Sequence, residues 1–282
     1  MKIELPFNFN WDRKYFDLFD AHKNSFCNID CVYMPTYETG GINTRESLVK
    51  YPETEEKYRK YIRMFQDRDI AVNVLVQRNV TLETIKKYYL NYGVNDFTIN
   101  DNILAKKIKE QYPDIRLRLS ITAKVTPDEI SREDLEPYDD IVLFFWYNRH
   151  LDVIKSLPKK HSYTVLCNTI CLWNCPYCEE HWFGGKDIRF TLKCGSKKIL
   201  WGDTLKFKDT AYIRPEDVVY FEDYVSVFKL EGREHASSHI FRDFDRYLSR
   251  KTVNGRPLYE FNEDDILSNY NIPTSWTVQD TS

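Results

Sequence analysis

The chain predicts an α/β fold, a single (β/α)8 barrel of the TIM type. Three observations predict it. Eight short runs rich in β-branched and aromatic residues are spread along 282 residues. Helical patterns alternate with them, an order that implies parallel strands and crossover helices. No Gly-rich turn follows the first run, as a doubly wound nucleotide-binding sheet would have.

The runs, in order, are IELPFNF near the start, NIDCVYM at 28–34, IAVNVLVQ at 70–77, DFTIN at 96–100, IRLRLSI at 115–121, DIVLFFW at 140–146, YTVLCN at 163–168 and VSVFKLE at 225–231. Between them, Tyr58, Tyr61, Ile62 and Phe65 fall on one helical face. Leu104, Ile108 and Tyr112 form a second face, which Pro113 ends. Thr126-Pro127-Asp128-Glu129 has the form of a capping box opening a third helix. Ile240, Phe244, Tyr247 and Leu248 make a stripe after the eighth run. The expected organisation is one barrel domain over 1–282, with an inserted lid-like segment at 183–223 and a C-terminal extension at 252–282.

Composition narrows the function classes. The charged fraction is 29% and the formal net charge −3, so nothing supports binding to nucleic acid as a polyanion. Lys106, Lys107 and Lys109 read as the solvated face of one helix. No apolar run approaches the ~18–20 residues of a membrane span. MKIELPFNFNWDRKYF lacks the apolar core of a secretory signal. A cytoplasmic protein acting on a small-molecule substrate is expected, with aromatic surface available to a protein partner subunit.

Seven cysteines in a reducing compartment point to metal or catalysis rather than disulfides. Four fall within CNTICLWNCPYCEEHW, residues 167–182. Cys27, Cys31 and Cys167 read as core packing. That leaves Cys171, Cys175, Cys178 and Cys194 as a ligand set, on a loop that follows strand seven, where barrel active sites lie. The set suits structural zinc, with four thiolates or three plus His181. It equally suits an iron–sulfur cluster. Within it Cys171, Cys175 and Cys178 read C-x3-C-x2-C, the spacing of radical S-adenosylmethionine enzymes. Those enzymes place the motif after their first strand, whereas here one strand and 104 residues follow Cys178.

VFKLEGREHASS at 227–238 resembles the F-K-I-E-G-R signature of the collagenase-like peptidase family U32. The spacings from Cys171 to Cys178 and from Cys178 to Cys194 resemble that family's cysteine set, and the likeness is sharpest over 165–240. The family's fourth cysteine lies further downstream, and none follows Cys194, so Cys175 or Cys167 has to stand in. The resemblance implies a 4Fe-4S cluster held by Cys171, Cys175, Cys178 and Cys194. It also implies oxygen-independent hydroxylation of an aromatic precursor or RNA base, in some members with prephenate as oxygen donor.

The sequence holds no G-x-S-x-G elbow and no H-E-x-x-H pair. Ser237 and Ser238, near His235 and His239, read as capping and surface residues. Candidates for the rim are Gln77, Arg78 and Asn79; Asn100, Asp101 and Asn102; Ser120 and Thr122; and Tyr147, Asn148, Arg149 and His150. Asp101 and Asn102 read first as helix caps. Glu231 and Arg233 either clamp an anionic substrate or pair with one another at the rim. His181 tunes the metal or exchanges protons with substrate.

Overall fold

The structure, a computed structural model, describes residues 1–10, 12–37, 52–76, 80–169, 171–175, 178, 209–232, 236–251 and 266–272. All eight runs form strands: β1 Lys2–Pro6, β2 Ile29–Pro35, β3 Val72–Leu75, β4 Asp96–Ile99, β5 Arg116–Leu119, β6 Asp140–Val142, β7 Ser162–Leu166 and β8 Val227–Lys229. They pair in sequence order, each parallel to the next, and β1 pairs with β8 to close the barrel.

The strands alternate, and the alternation sorts residues between two faces. Ile3, Leu5, Val32, Val74, Phe97, Leu117, Leu119, Ile141, Val165 and Phe228 join one buried apolar cluster with the surrounding helices. The intervening positions point into the barrel and are mostly polar, with Glu4, Asn73, Asp96, Arg116, Arg118, Asp140, Thr164 and Lys229 among them beside the apolar Val142, Leu166 and Val227. Arg118 is the hub. Its guanidinium donates to Asp96 at 2.8 Å and to Asp30 at 2.6 Å, and lies 3.4 Å from Glu4. Lys229 pairs with Glu4 and stands 3.7 Å over the Tyr33 ring. A register shift between Ile3 and Glu4 brings Glu4 opposite Cys31, leaving Asp30 as the extra residue of a bulge.

Six α-helices lie among the described residues: α1 Asp12–Ala21, α2 Glu55–Gln66, α3 Leu82–Tyr92, α4 Asn102–Gln111, α5 Leu151–Ser156 and α6 Ser237–Ser249. α2 buries the four residues its periodicity marks, and α6 buries Ile240, Phe244 and Tyr247 with Leu248 half-buried beside them. Asp101 caps α4 by accepting from the Leu104 amide at 2.9 Å. Asn102 is the first helical residue and donates to Asp134 instead. Lys106 and Lys107 are exposed as expected, but Lys109 reaches the Ile115 carbonyl at 2.7 Å and Asp139 at 2.7 Å.

The capping box closes without its helix. Glu129 accepts from both the amide and the hydroxyl of Thr126 at 2.9 Å, yet the chain makes a single turn and then a short 3-10 segment, Glu133–Leu135.

The described part of the C-terminal extension docks on the barrel. Residues 270–272 run beside 149–152, with the Leu151 amide donating to the Tyr270 carbonyl at 2.9 Å and the Ile272 amide to the Arg149 carbonyl at 3.1 Å. No helix among the described residues is long and apolar enough to cross a membrane.

Candidate functional site

β7 ends at Leu166, and the chain changes partner there. The Cys167 amide still donates to the Lys229 carbonyl at 3.1 Å, but its carbonyl accepts from Ile213 at 2.8 Å. Ala211 then donates to Cys171 at 2.8 Å, and Leu172 makes an antiparallel bridge with Thr210. The described end of the long insertion is thus the strand-like limb against which the cysteine loop is laid.

Buried donors fix this base. The Asn148 amide nitrogen donates to the carbonyls of Leu166 and Ala211, both at 2.6 Å. Arg149 donates to the Tyr212 carbonyl and stands 5.0 Å over the Tyr270 ring. The Tyr247 hydroxyl lies 2.9 Å from the Cys167 carbonyl and 2.6 Å from that of Ile213. Tyr147 donates to the Val125 carbonyl at 3.0 Å. Asn148 and Arg149, expected at the substrate face, therefore form the buried support of the loop, while Tyr147 holds the segment after β5 instead. Wherever a backbone carbonyl leaves the ladder inside the protein, another donor has to reach it, and these side chains do so.

Above the base, two tight turns follow. The Cys175 amide donates to Leu172 at 3.3 Å and the Cys178 amide to Cys175 at 3.1 Å. Cys171, Cys175 and Cys178 are all half-buried, beyond the C-terminal end of β7. Three partly accessible thiols on consecutive turns are the donor type that thiolate ligation uses, because soft sulfur ligands must be reachable yet held. Among the described residues, however, the group whose ligand atoms lie within 4.8 Å of one another is not this one but Asp30, Cys31 and Asp96. Burial pushes the Cys178 thiol up to about 12, and Lys124 opposes the shift.

Lys124 was not a sequence candidate. It follows β5 at φ 49°, its ammonium lies 5.6 Å over the Phe144 ring, and burial holds it below the usual lysine range. Only its place a few residues past a strand could have signalled it. His150 is also drawn in: it stacks on Trp146 at 3.6 Å, and Trp173 of the cysteine loop meets it edge-on at 5.3 Å. Burial lowers His150 to about 4, and its Nε2 has no hydrogen-bond partner among the described residues. The buried Thr169 hydroxyl, at the root of the loop, likewise has none.

Glu231 sits half-buried just past β8, and Gly232 follows at φ 116°, a conformation that favours glycine. Arg233, His181, Cys194, His235, Gln77, Arg78 and Asn79 lie outside the described residues. Asn100, Ser120 and Thr122 form a hydrogen-bonded group across the ends of β4 and β5, with Thr122 Oγ1 3.1 Å from Asn100 and 3.0 Å from Ser120.

Ser237 is buried in the first turn of α6, whose N-cap is Ala236 with no side-chain cap, so the serines do not cap it. Ser238 and His239 are exposed, as expected. Cys31 and Cys167 are fully buried core residues. Cys27 is not core: it is exposed in the 3-10 segment Lys23–Asn28, which buries none of its residues. Cys31, Asp30 and Asp96 bring one ligating atom each within 4.8 Å of one another inside the barrel. Arg118 and Arg116 occupy that carboxylate pair, which makes it an ion-pair network.

No protein-family model matches the chain. An uncharacterized protease of Methanocaldococcus jannaschii is 25% identical over 173 residues, which is 57% of this chain and 51% of that protein. The chain thus spans about half the length of that curated relative. The solved structure of the U32 peptidase Mk0906 matches 82% of this chain and 93% of its own, with a TM-score of 0.54 at 15% identity. At that identity the likeness speaks for the fold, and it is the same barrel. Together the two matches support the resemblance to family U32 that the cysteine spacing and the 227–238 motif suggested.

Proposed function

We propose that the loop after β7 holds an iron–sulfur cluster and that the barrel mouth modifies a small aromatic or anionic substrate, or an RNA base, by oxygen-independent hydroxylation. The observation that supports this reading is the pinned loop that carries Cys171, Cys175 and Cys178, all half-buried, past the C-terminal end of β7. Cys194 is the proposed fourth ligand. When bound, a 4Fe-4S cluster supplies one-electron chemistry, and with only three thiolates it also supplies an open iron. The chain's own residues would hold and orient the substrate. Arg233 offers a planar fork for a carboxylate or phosphate, and Glu231 stands beside it in the sequence. Trp146 and Phe144 supply ring faces at the mouth, and the neutral His150 supplies a hydrogen-bonding nitrogen. With an organic donor the exchange balances by itself: the donor's hydroxyl moves to the substrate carbon and the displaced hydrogen returns to the donor.

Iron, sulfide and the absorption spectrum, measured on protein purified without oxygen, test this. Roughly four iron and four sulfide per chain, lost in Cys178→Ser, are expected for a 4Fe-4S protein. One zinc and no iron sinks the cluster and leaves a zinc-stapled binding module. Release of 5′-deoxyadenosine from S-adenosylmethionine would replace hydroxylation by the radical reading.

The names of the two similar proteins, a protease and a peptidase, favour a second reading, peptide hydrolysis. Ser237 is too buried to act as a free nucleophile. A thiol of the same loop is the group to test, by alkylation of metal-free protein followed by a casein or gelatin assay.

A further inference from the structure

The parallel ladder between β7 and β8 has a gap that one side chain fills. The bond from Cys167 N–H to the Lys229 carbonyl, at 3.1 Å, has a regular successor in a parallel ladder: Glu231 N–H to the Cys167 carbonyl. That successor is replaced. The Cys167 carbonyl serves Ile213 and Tyr247, and the Glu231 amide donates to Asn168 Oδ1 at 2.8 Å. Asn168 Nδ2 returns a bond to the Glu231 carbonyl at 3.1 Å and gives another to Asp243 Oδ2 of α6 at 3.1 Å. The side-chain amide thereby stands in for a peptide unit, taking one bond and returning one to the same residue.

We infer that Asn168 is the positioning residue that joins the two halves of the site. It sets the cysteine loop, which begins three residues later at Cys171, against the Glu231–Gly232 turn. This deepens the proposed function and rests on it. β7 must leave β8 for the 209–213 limb if the cysteines are to stand clear of the barrel. Its departure would free the tip of β8, and the amide keeps that tip in place. Orientation of the amide matters, because both of its ends are used. Asp243 accepts only, so it holds Nδ2 toward itself and toward the Glu231 carbonyl, leaving Oδ1 for the Glu231 amide. Arg246, 3.2 Å from Asp243 on the same helix, steadies that carboxylate. Serine or alanine could not span both bonds, and aspartate has the shape but the wrong polarity at one end.

The test is a swap. Asn168→Asp turns a carboxylate oxygen onto the Glu231 carbonyl and the Asp243 carboxylate. Asp243→Asn lets the amide turn over. The double variant restores a donor–acceptor match between 168 and 243 with the charge exchanged but leaves a carboxylate oxygen against the Glu231 carbonyl, so the two effects should be non-additive with only partial recovery. Two readouts apply to each: iron and sulfide taken up from ferrous iron and sulfide without oxygen, and the alkylation rate of Cys171, Cys175 and Cys178 in metal-free protein by peptide mass spectrometry. Both single variants should bind iron roughly ten-fold or more weakly, the range typical of groups behind a metal ligand. They should alkylate the three loop thiols faster while Cys31 and Cys167 stay protected, and the double variant should fall between Asn168→Asp and the wild type in both.

Single variants that match the wild type in both readouts overturn the inference, as does a double variant no better than Asn168→Asp. Should Asn168→Asp fail to fold, Asp243→Asn carries the same test from α6. Wild-type protein that takes up no iron, with the alkylation pattern as described, defeats the cluster and leaves the positioning role standing. Wild-type protein that takes up iron, with Asn168→Asp equally loaded and equally protected, does the reverse.

Discussion

The two faces of the barrel wall are opposites. Outward positions carry Leu117, Leu119, Phe97 and Val165 into one apolar layer under the helices. Inward positions one residue away carry Arg118, Asp96, Asp140 and Thr164 into a hydrogen-bonded ionic network. Barrels of this type commonly fill their interiors with branched aliphatic residues. Here stability comes from the outer layer, and the interior holds charges that tolerate burial only in company. Burial alone pushes Asp30 up, yet Arg118 and Arg116 bring it below the usual carboxylate range. Asp140 has less such help, and burial leaves it raised. A buried network of this kind stabilises little as a whole and is costly to break in part.

The largest effect should therefore come from taking out the hub. Arg118→Met leaves Glu4, Asp30 and Asp96 short of a partner, and urea unfolding at neutral pH should show a loss of about 3–5 kcal/mol. The deficit should shrink as pH falls toward the carboxylate range, because protonated acids no longer need the guanidinium. A loss independent of pH would mean that Arg118 acts by packing alone. Leu117→Ala, on the opposite face of the same strand, should lose about 2–5 kcal/mol from its cavity, with no pH dependence of its own. If the two variants respond alike to acid, the contrast between the faces is wrong.

His150 sharpens the comparison, since it is a buried base outside the network, packed on Trp146 and Trp173, where burial and the charge of Arg149 outweigh the opposing charge of Asp152. Its folded value of about 4 lies below the ordinary 6.5. The sign follows. Above the ordinary value the ring is neutral in both states and stability is complete. As pH falls toward the folded value only the unfolded chain takes the proton, and stability is lost, by up to about 3 kcal/mol. His150→Phe keeps a ring against Trp146 and removes the titration. Its unfolding midpoint should match the wild type near neutral pH within about 1 kcal/mol and exceed it at pH 5. Equal slopes for the two proteins between those pH values would sink this assignment.

The fold was legible because alternation survives in short strands: RLRL and SYTVL already separate inward from outward residues. The ends of the runs were less legible. In DIVLFFW the strand stops at Val142, and Phe145 enters a 3-10 turn that aims the following residues at the loop base. Of the candidate site, the proposed cysteine ligands and Glu231 are named by spacing and motif. Asn148, Arg149 and Asn168 could not be read as support, because their partners are backbone carbonyls and amides distant in sequence, and a carbonyl leaves no mark on residue type. Lys124 was hidden for a similar reason, as its neighbour Cys178 lies on another loop.

Lys124 also offers the smallest and most selective test. It shares a left-handed backbone with Arg250, at φ 49° and 52°. Arg250 ends α6, where this conformation is ordinary and glycine is preferred, and its guanidinium makes an exposed pair with Glu222 at 2.7 Å. Arg250→Gly trades strain of about 1 kcal/mol against a pair of similar or smaller worth, so little net change is expected. Lys124→Gly relieves the same strain at the mouth, and its stability should stay within about 1 kcal/mol of the wild type, on the stabilising side. Chemistry separates them. With the ammonium gone, nothing on Lys124 opposes the burial that raises the Cys178 thiol, so alkylation of Cys178 in metal-free protein should slow at fixed pH. Arg250→Gly should leave that rate unchanged. A faster Cys178 in Lys124→Gly would mean that the side chain shields the thiol rather than lowering its proton affinity, and the left-handed turn after β5 would then be a steric device.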